Sequence, residues 1–218
     1  MRRRLYVSIG VVLAIVAATV AWSWSRESNS AGKAVEDVTR DSRIAPCPDL
    51  SGGPVAGGLP SVELPCMSSA GPATIQLSDY TDAKPMLIAL WASYCSHCRD
   101  ELKAIGEYHR TQPDGVRVLT VLAVDSESSA QLILDVSPGL PVAFDRSGQL
   151  FAGLRVAPAL PVLVVVRPGG SVAKVYQGTP RTSADQVAGL VEQALRPTGQ
   201  SALPGSQRYS TSGRPAPP

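Results

Sequence analysis

The chain lacks a strong charge of either sign. Its 20 Lys and Arg are nearly matched by 18 Asp and Glu, leaving a formal net charge of +2. That field is too weak to hold a polyanion, and no run interleaves basic with aromatic residues, so nucleic-acid partners are excluded. Cysteine is scarce, at four in 218 residues, which excludes a fold stapled together by disulfides. Only three Met occur, with no Met-rich cluster, and this argues against copper handling. No internal repeat is present. Against these absences, the placement of the cysteines stands out: Cys95 and Cys98 form a C-x-x-C, while Cys47 and Cys66 stand singly upstream.

The N-terminus sets the compartment. Arg2, Arg3 and Arg4 precede an uncharged stretch from Leu5 to Trp24. At about 20 residues this is long enough to cross a bilayer core as a helix. Basic residues stay on the cytoplasmic side, so the rest of the chain is sent out, and Trp22 and Trp24 fall at the outer interfacial belt. A cleaved signal peptide, with small residues near Thr19 to Ala21, is the alternative. The length of the span and the Trp pair favour an uncleaved anchor, and both readings export the domain. The expected organisation is arginines and transmembrane anchor over 1–25, juxtamembrane linker over 26–45, folded domain over 46–196 and a disordered Pro/Ser-rich tail over 197–218. The expected location is the plasma membrane, single-pass, with the folded domain extracytoplasmic.

Within the domain, Pro46 to Gly71 is dense in Pro and Gly and predicts turns and short extended pieces. Thr74 to Leu77, Lys84 to Trp91, Val116 to Val124, Val142 to Phe144 and Val162 to Val166 read as strands, the second and third buried on both faces. Arg167 to Ser171 is a turn, with Val172 to Gln177 as hairpin partner. Helices are expected from Ser96 to about His109, from Ser126 (a candidate N-cap) to about Val136, and from a capping box at Ser183 and Gln186 to about Leu195. Strands alternating with helices predict an α/β sandwich with a central mixed β-sheet, flanked by helices and closed by an antiparallel edge.

A buried strand runs into Trp91-Ala92-Ser93-Tyr94-Cys95-Ser96-His97-Cys98 and a helix runs out. Cys95 therefore falls at or just before a helix N-terminus, where free N–H groups and the macrodipole favour a thiolate. Cys98, one turn in, would resolve the mixed disulfide that Cys95 forms. A partly protonated His97 beside Cys95 would stabilise the thiolate further; a solvated helix residue is its alternative. His109, with no partner in sight, reads as a solvated surface residue. A zinc site would need a second pair at similar spacing, and Cys47 and Cys66 offer none.

These residues resemble the TlpA/ResA-like branch of the thioredoxin superfamily over roughly Pro46 to Leu195. The similarity rests on the strand into W-A-x-x-C-x-x-C, on Leu77-Ser78-Asp79-Tyr80 followed by Lys84-Pro85, on Phe144 to Gly148, and on Leu160-Pro161 before Val162 to Val166. The resemblance implies a thioredoxin-like sandwich and a thiol–disulfide oxidoreductase without a cofactor. Its partners would be exported protein thiols or disulfides and a membrane redox partner, with cytochrome c maturation among the services implied. It implies that Pro161 is a cis-proline facing the dithiol, with Leu160 offering backbone hydrogen bonds to a bound peptide, and that Trp91 belongs to the substrate-binding surface; Pro158 competes for the cis-proline role. The chain departs from the family in three places. Ser-His replaces a dipeptide that usually carries proline, Lys103 replaces a helix proline, and Ala89 replaces the buried acid that serves as proton acceptor for the second cysteine. Glu101 and Asp125 are candidate substitutes. The Ser-His dipeptide is similar to that of the oxidant DsbA in ending on His, so both redox directions stay open.

Cys47 and Cys66 flank a Pro/Gly-rich loop in an exported chain, where disulfides persist, and are expected to form a structural disulfide; a second redox centre relaying to Cys95 is the alternative. Two other classes of function are a metal carrier or copper chaperone using Cys95, His97 and Cys98, and a redox-silent binding domain. A peroxidase fits less well, since such enzymes usually place a lone attacking Cys after Thr or Pro.

Overall fold

The structure is a computed structural model that describes residues 43–197, apart from 69, 113 and 114. The expected anchor, most of the linker and the tail lie outside the described residues. Among those described, no helix is long and apolar enough to cross a membrane. In chain order the elements are β1 (Glu63–Pro65), β2 (Thr74–Gln76), β3 (Met86–Trp91), α1 (Cys98–Thr111), β4 (Arg117–Ala123), α2 (Gln131–Val136), β5 (Val142–Asp145), α3 (Gln149–Leu154), β6 (Val162–Val166), β7 (Val172–Gln177) and α4 (Ala184–Leu195).

Two apolar runs set the architecture. β3 is buried throughout and β4 everywhere but its first residue. Strands buried on both faces belong inside a sheet that is covered on both sides. They lie at the middle of a five-stranded sheet of order β5-β4-β3-β6-β7. β3, β4 and β5 run parallel, whereas β6 and β7 form the antiparallel edge. Side chains alternate across β3 with period two. Leu87, Ala89 and Trp91 pack in the layer of α1 and α4, while Met86, Ile88 and Leu90 pack in the layer of β1, β2 and α3.

The β6–β7 hairpin turns where the Arg-Pro-Gly-Gly-Ser signal predicted it. Gly169 and Gly170 take φ of +81° and +93°, and a Cβ on Gly170 would lie 2.0 Å from the Tyr80 carbonyl oxygen, so the position accepts only glycine. α4 is capped as its sequence predicted, with Ser183 Oγ accepting the Gln186 N–H. The return arm of the box falls one residue earlier, from the Thr182 N–H to Gln186 Oε1.

The helical elements differ from expectation. The single helix expected from Ser126 is a 3₁₀ turn at Glu127–Ala130 followed by the six-residue α2. Ser126 does stand at the N-cap, but its hydroxyl bonds to those of Ser128 and Ser129 rather than to a backbone N–H. α3 was not expected. Its N-terminus is held from outside, by the buried Asp145 carboxylate at the end of β5, which accepts the N–H groups of Gln149 and Leu150 at 3.0 and 2.8 Å.

The Pro/Gly-rich segment wraps the sheet. Ala45 bridges Pro141 and Cys66 bridges Ala143 along the β5 edge, while Gly58 bridges Ser171 where β7 begins. A Cys47–Cys66 disulfide closes this strap. His109 is consequently not the solvated surface residue expected. It is half-buried and lines a small cleft with Ala45, Pro46 and Pro48 of the strap, its Nδ1 is buried without a partner, and burial pulls its pKa down.

Candidate active site

The C-terminal end of β3 delivers the chain into two tight turns. Cys95 N–H donates to the Ala92 carbonyl and Cys98 N–H to the Cys95 carbonyl, both at 3.1 Å. α1 then begins at Cys98 with His97 at its N-cap. Cys95 and Cys98 are joined as a disulfide. The two sulfurs occupy different surroundings: Cys95 retains 9% exposure and lines a groove, whereas Cys98 is 1% exposed behind it. In this state neither sulfur is a thiolate free to ligate a metal.

The groove, of about 410 Å³, is lined by Tyr94, Cys95, Ser96 and His97 on one side and by Val124, Phe151 and Pro158 to Leu160 on the other. His97 is solvent-exposed on its wall. Among the described residues, no Asp, Glu, Lys or Arg lines it. The bond Leu160–Pro161 is cis. Leu160 borders the groove, as does Pro158, and Pro161 is buried behind.

Trp91, expected on the substrate surface, is instead in the core at 1% exposure, with Nε1 buried and unpartnered. The odd positions of β3 all point into the α1 layer, and Trp91 follows them. The aromatic that faces the groove is Tyr94, 67% exposed. Sequence reasoning also gave no role to Val124 and Phe151. Phe151 arrives on the unexpected α3. Val124, 47% exposed, holds a φ of +53°, a costly conformation for a β-branched residue.

The two candidate acids differ. Glu101 is buried three residues after Cys98, on the same face of α1. Burial pushes its pKa up to about 7, against the lowering effect of the Arg181 N–H that it accepts at 2.9 Å and of the Arg181 charge. A carboxyl in that condition can take and return a proton near neutral pH. Asp125 is saturated with donors: Ser93 N–H at 2.7 Å, Ser126 N–H at 2.7 Å and Ser129 Oγ–H at 2.7 Å. Burial pushes its pKa up, but these hydrogen bonds outweigh it and hold the carboxylate below its ordinary value. Asp125 is thus held as a carboxylate that clamps the loop preceding Cys95.

Cys47 and Cys66 pack in the β1–β2 layer, whereas Cys95 and Cys98 belong to the α1 layer.

The model of the AhpC/TSA family matches residues 55–175. No curated protein matches the chain. Among solved structures, it is similar to the pneumococcal exposed lipoprotein thioredoxin Etrx1 from Streptococcus pneumoniae strain TIGR4, with 27% identity and a TM-score of 0.50, covering 61% of this chain and 98% of that one. An uncharacterized thioredoxin-like protein from Porphyromonas gingivalis gives 26% identity and a TM-score of 0.51 over 63% and 91%. A secreted Mycobacterium tuberculosis disulfide oxidoreductase homologous to E. coli DsbE gives 18% and 0.51 over 61% and 96%, a likeness of fold.

Proposed function

The chain belongs to the AhpC/TSA family and is a thiol–disulfide oxidoreductase of thioredoxin fold, and from that premise we propose that it exchanges the Cys95–Cys98 pair with thiols or disulfides of exported proteins, tethered to the plasma membrane by its N-terminal segment. The observation that carries the reading is the asymmetry of the pair: one sulfur borders an open groove and the other is sealed behind it at the first residue of α1.

In the reducing direction, the Cys95 thiolate attacks a sulfur of the substrate disulfide. A mixed disulfide forms and one substrate thiolate leaves. Cys98 then attacks the Cys95 sulfur, releasing the second substrate thiol and closing Cys95–Cys98, so two electrons have passed to the substrate. Glu101 accepts the Cys98 proton in that second step, and His97 at the helix N-cap supports the thiolate at Cys95. In the oxidising direction the same steps run in reverse. Leu160, beside cis Pro161, offers its backbone to the bound peptide. The Cys47–Cys66 bond serves as a structural staple. The resemblance to TlpA/ResA-like proteins supports a reductant, including service to cytochrome c maturation, with a membrane partner to recharge it; the Ser-His dipeptide supports an oxidant.

A Cys98→Ser variant should accumulate mixed disulfides through Cys95 with exported proteins, and identifying them names the substrates. A Cys95→Ser variant that traps nothing, alongside a Cys98→Ser variant that also traps nothing, would remove the exchange reading. Equilibration with glutathione sets the direction: a potential near about −270 mV marks a reductant and one near about −120 mV an oxidant.

A further inference from the structure

The loop that carries Leu160 to the groove is held from behind by one side chain. Gln177 ends β7, where it pairs in register with Val162. Its Nε2 donates to two carbonyls of the loop, Ala157 at 2.6 Å and Ala159 at 2.8 Å. The Ala157 carbonyl also accepts the Ala159 N–H at 2.8 Å, closing a tight turn around Pro158. The residue that follows β7, Gly178, donates its N–H to the Pro161 carbonyl at 3.0 Å. One amide thus brackets the turn whose members Pro158, Ala159 and Leu160 form a wall of the groove at Cys95. A side-chain amide has two donor hydrogens on one nitrogen, which suits it to bridge two carbonyls.

We infer that Gln177 is a positioning residue for polypeptide substrates: it presets the Pro158–Leu160 wall against which the chain flanking the reacting cysteine is laid. The inference rests on the exchange reading of Cys95 and names what that site favours, an extended polypeptide over a small disulfide. Residues 157–159 are exposed and Gln177 is exposed with them, so water can replace the amide's hydrogen bonds with little loss of stability. Water cannot replace the fixed position of the wall, and ordering that wall on binding would weaken the complex. Small disulfides that touch only Cys95 do not need the wall.

The test compares Gln177→Ala, Gln177→Lys and Gln177→Glu in exchange with a disulfide-bonded peptide of about ten residues and with oxidised glutathione. Gln177→Ala should raise the KM for the peptide about two- to tenfold, the scale of ordering the wall on binding, with kcat, glutathione exchange, Cys95–Cys98 potential and melting temperature unchanged. Gln177→Lys keeps a donor of similar reach and should retain most of the peptide affinity. Gln177→Glu keeps the length but offers only acceptors to two carbonyls, and should be the weakest. An unchanged peptide KM in Gln177→Ala, an equal loss toward peptide and glutathione, or equal behaviour of the Lys and Glu variants overturns the assignment. A wild-type protein inert toward both substrates instead overturns the exchange reading beneath it.

Discussion

Replacing Glu101 by Gln should make the oxidised protein more stable at neutral pH while flattening its response to acid. In the folded state, burial raises the Glu101 pKa from its ordinary 4.5 to about 7. Below 4.5 the carboxyl is protonated in both folded and unfolded chains, so it exacts no penalty. As pH rises, the unfolded chain releases its proton first and gains free energy that the folded chain cannot match. Stability falls at up to about 1.4 kcal/mol per pH unit across that window and levels off above pH 7, about 3 kcal/mol lower. The substituted amide would carry no such proton, and its oxygen can still accept the Arg181 N–H that Glu101 holds. The difference in unfolding free energy between wild type and Glu101→Gln, measured by urea denaturation of the disulfide form from pH 4 to 8, should therefore grow with pH toward about 3 kcal/mol, roughly 10 °C in melting temperature for a domain of this size. His109, whose lowered pKa works in the opposite sense as pH falls, is common to both proteins and cancels. Parallel curves would refute the argument, since they would mean that Glu101 ionises normally in the folded chain.

Three further outcomes are expected. Removing the strap disulfide with Cys47→Ser and Cys66→Ser opens a loop with a sequence separation of 19; calorimetry should show a loss of about 3 kcal/mol, while Cys95 exchange with glutathione and with a protein disulfide stays intact. A selective loss toward protein substrates would instead favour a relay through the second pair. Asp125→Ala strands the Ser93 N–H that the carboxylate accepts, so thermal unfolding should report a cost of about 1–3 kcal/mol, with slower exchange at Cys95. Val124→Gly relieves the positive φ of a β-branched residue and should raise stability by about 1 kcal/mol, read from the urea midpoint.

Much of this architecture was legible because it rests on local pattern. The runs that became β3 and β4 are apolar apart from Arg117 and Thr120, and runs of that kind and length fit inside a covered sheet. The β6–β7 turn and the cap of α4 are each written in neighbouring residues. A C-x-x-C with a strand before it and a helix after it placed Cys95 ahead of the helix, but the helix starts at Cys98 and not at Ser96, so Cys98 is its first residue and does not sit one turn in. What was not legible is either a short element with a weak local signal or a contact between residues far apart in the chain. α3 is six residues long and takes its cap from Asp145 of the preceding strand. Trp91 faces inward because of the parity of β3, which a family motif does not state. The cover over His109 comes from the strap, more than 60 residues upstream. The amide of Gln177 reaches back 18 and 20 residues.

The path of the strap also sets the reactive sulfur far from the point where the described chain begins. The described chain begins at Arg43, whose carbonyl takes the Gly139 N–H just ahead of β5. That is where the parallel strands start, while Cys95 follows the point where β3 stops. The two lie at opposite poles, separated by the length of β4, roughly 23 Å for its seven residues. Whatever lies ahead of Arg43 is therefore joined to the pole of the domain remote from the dithiol.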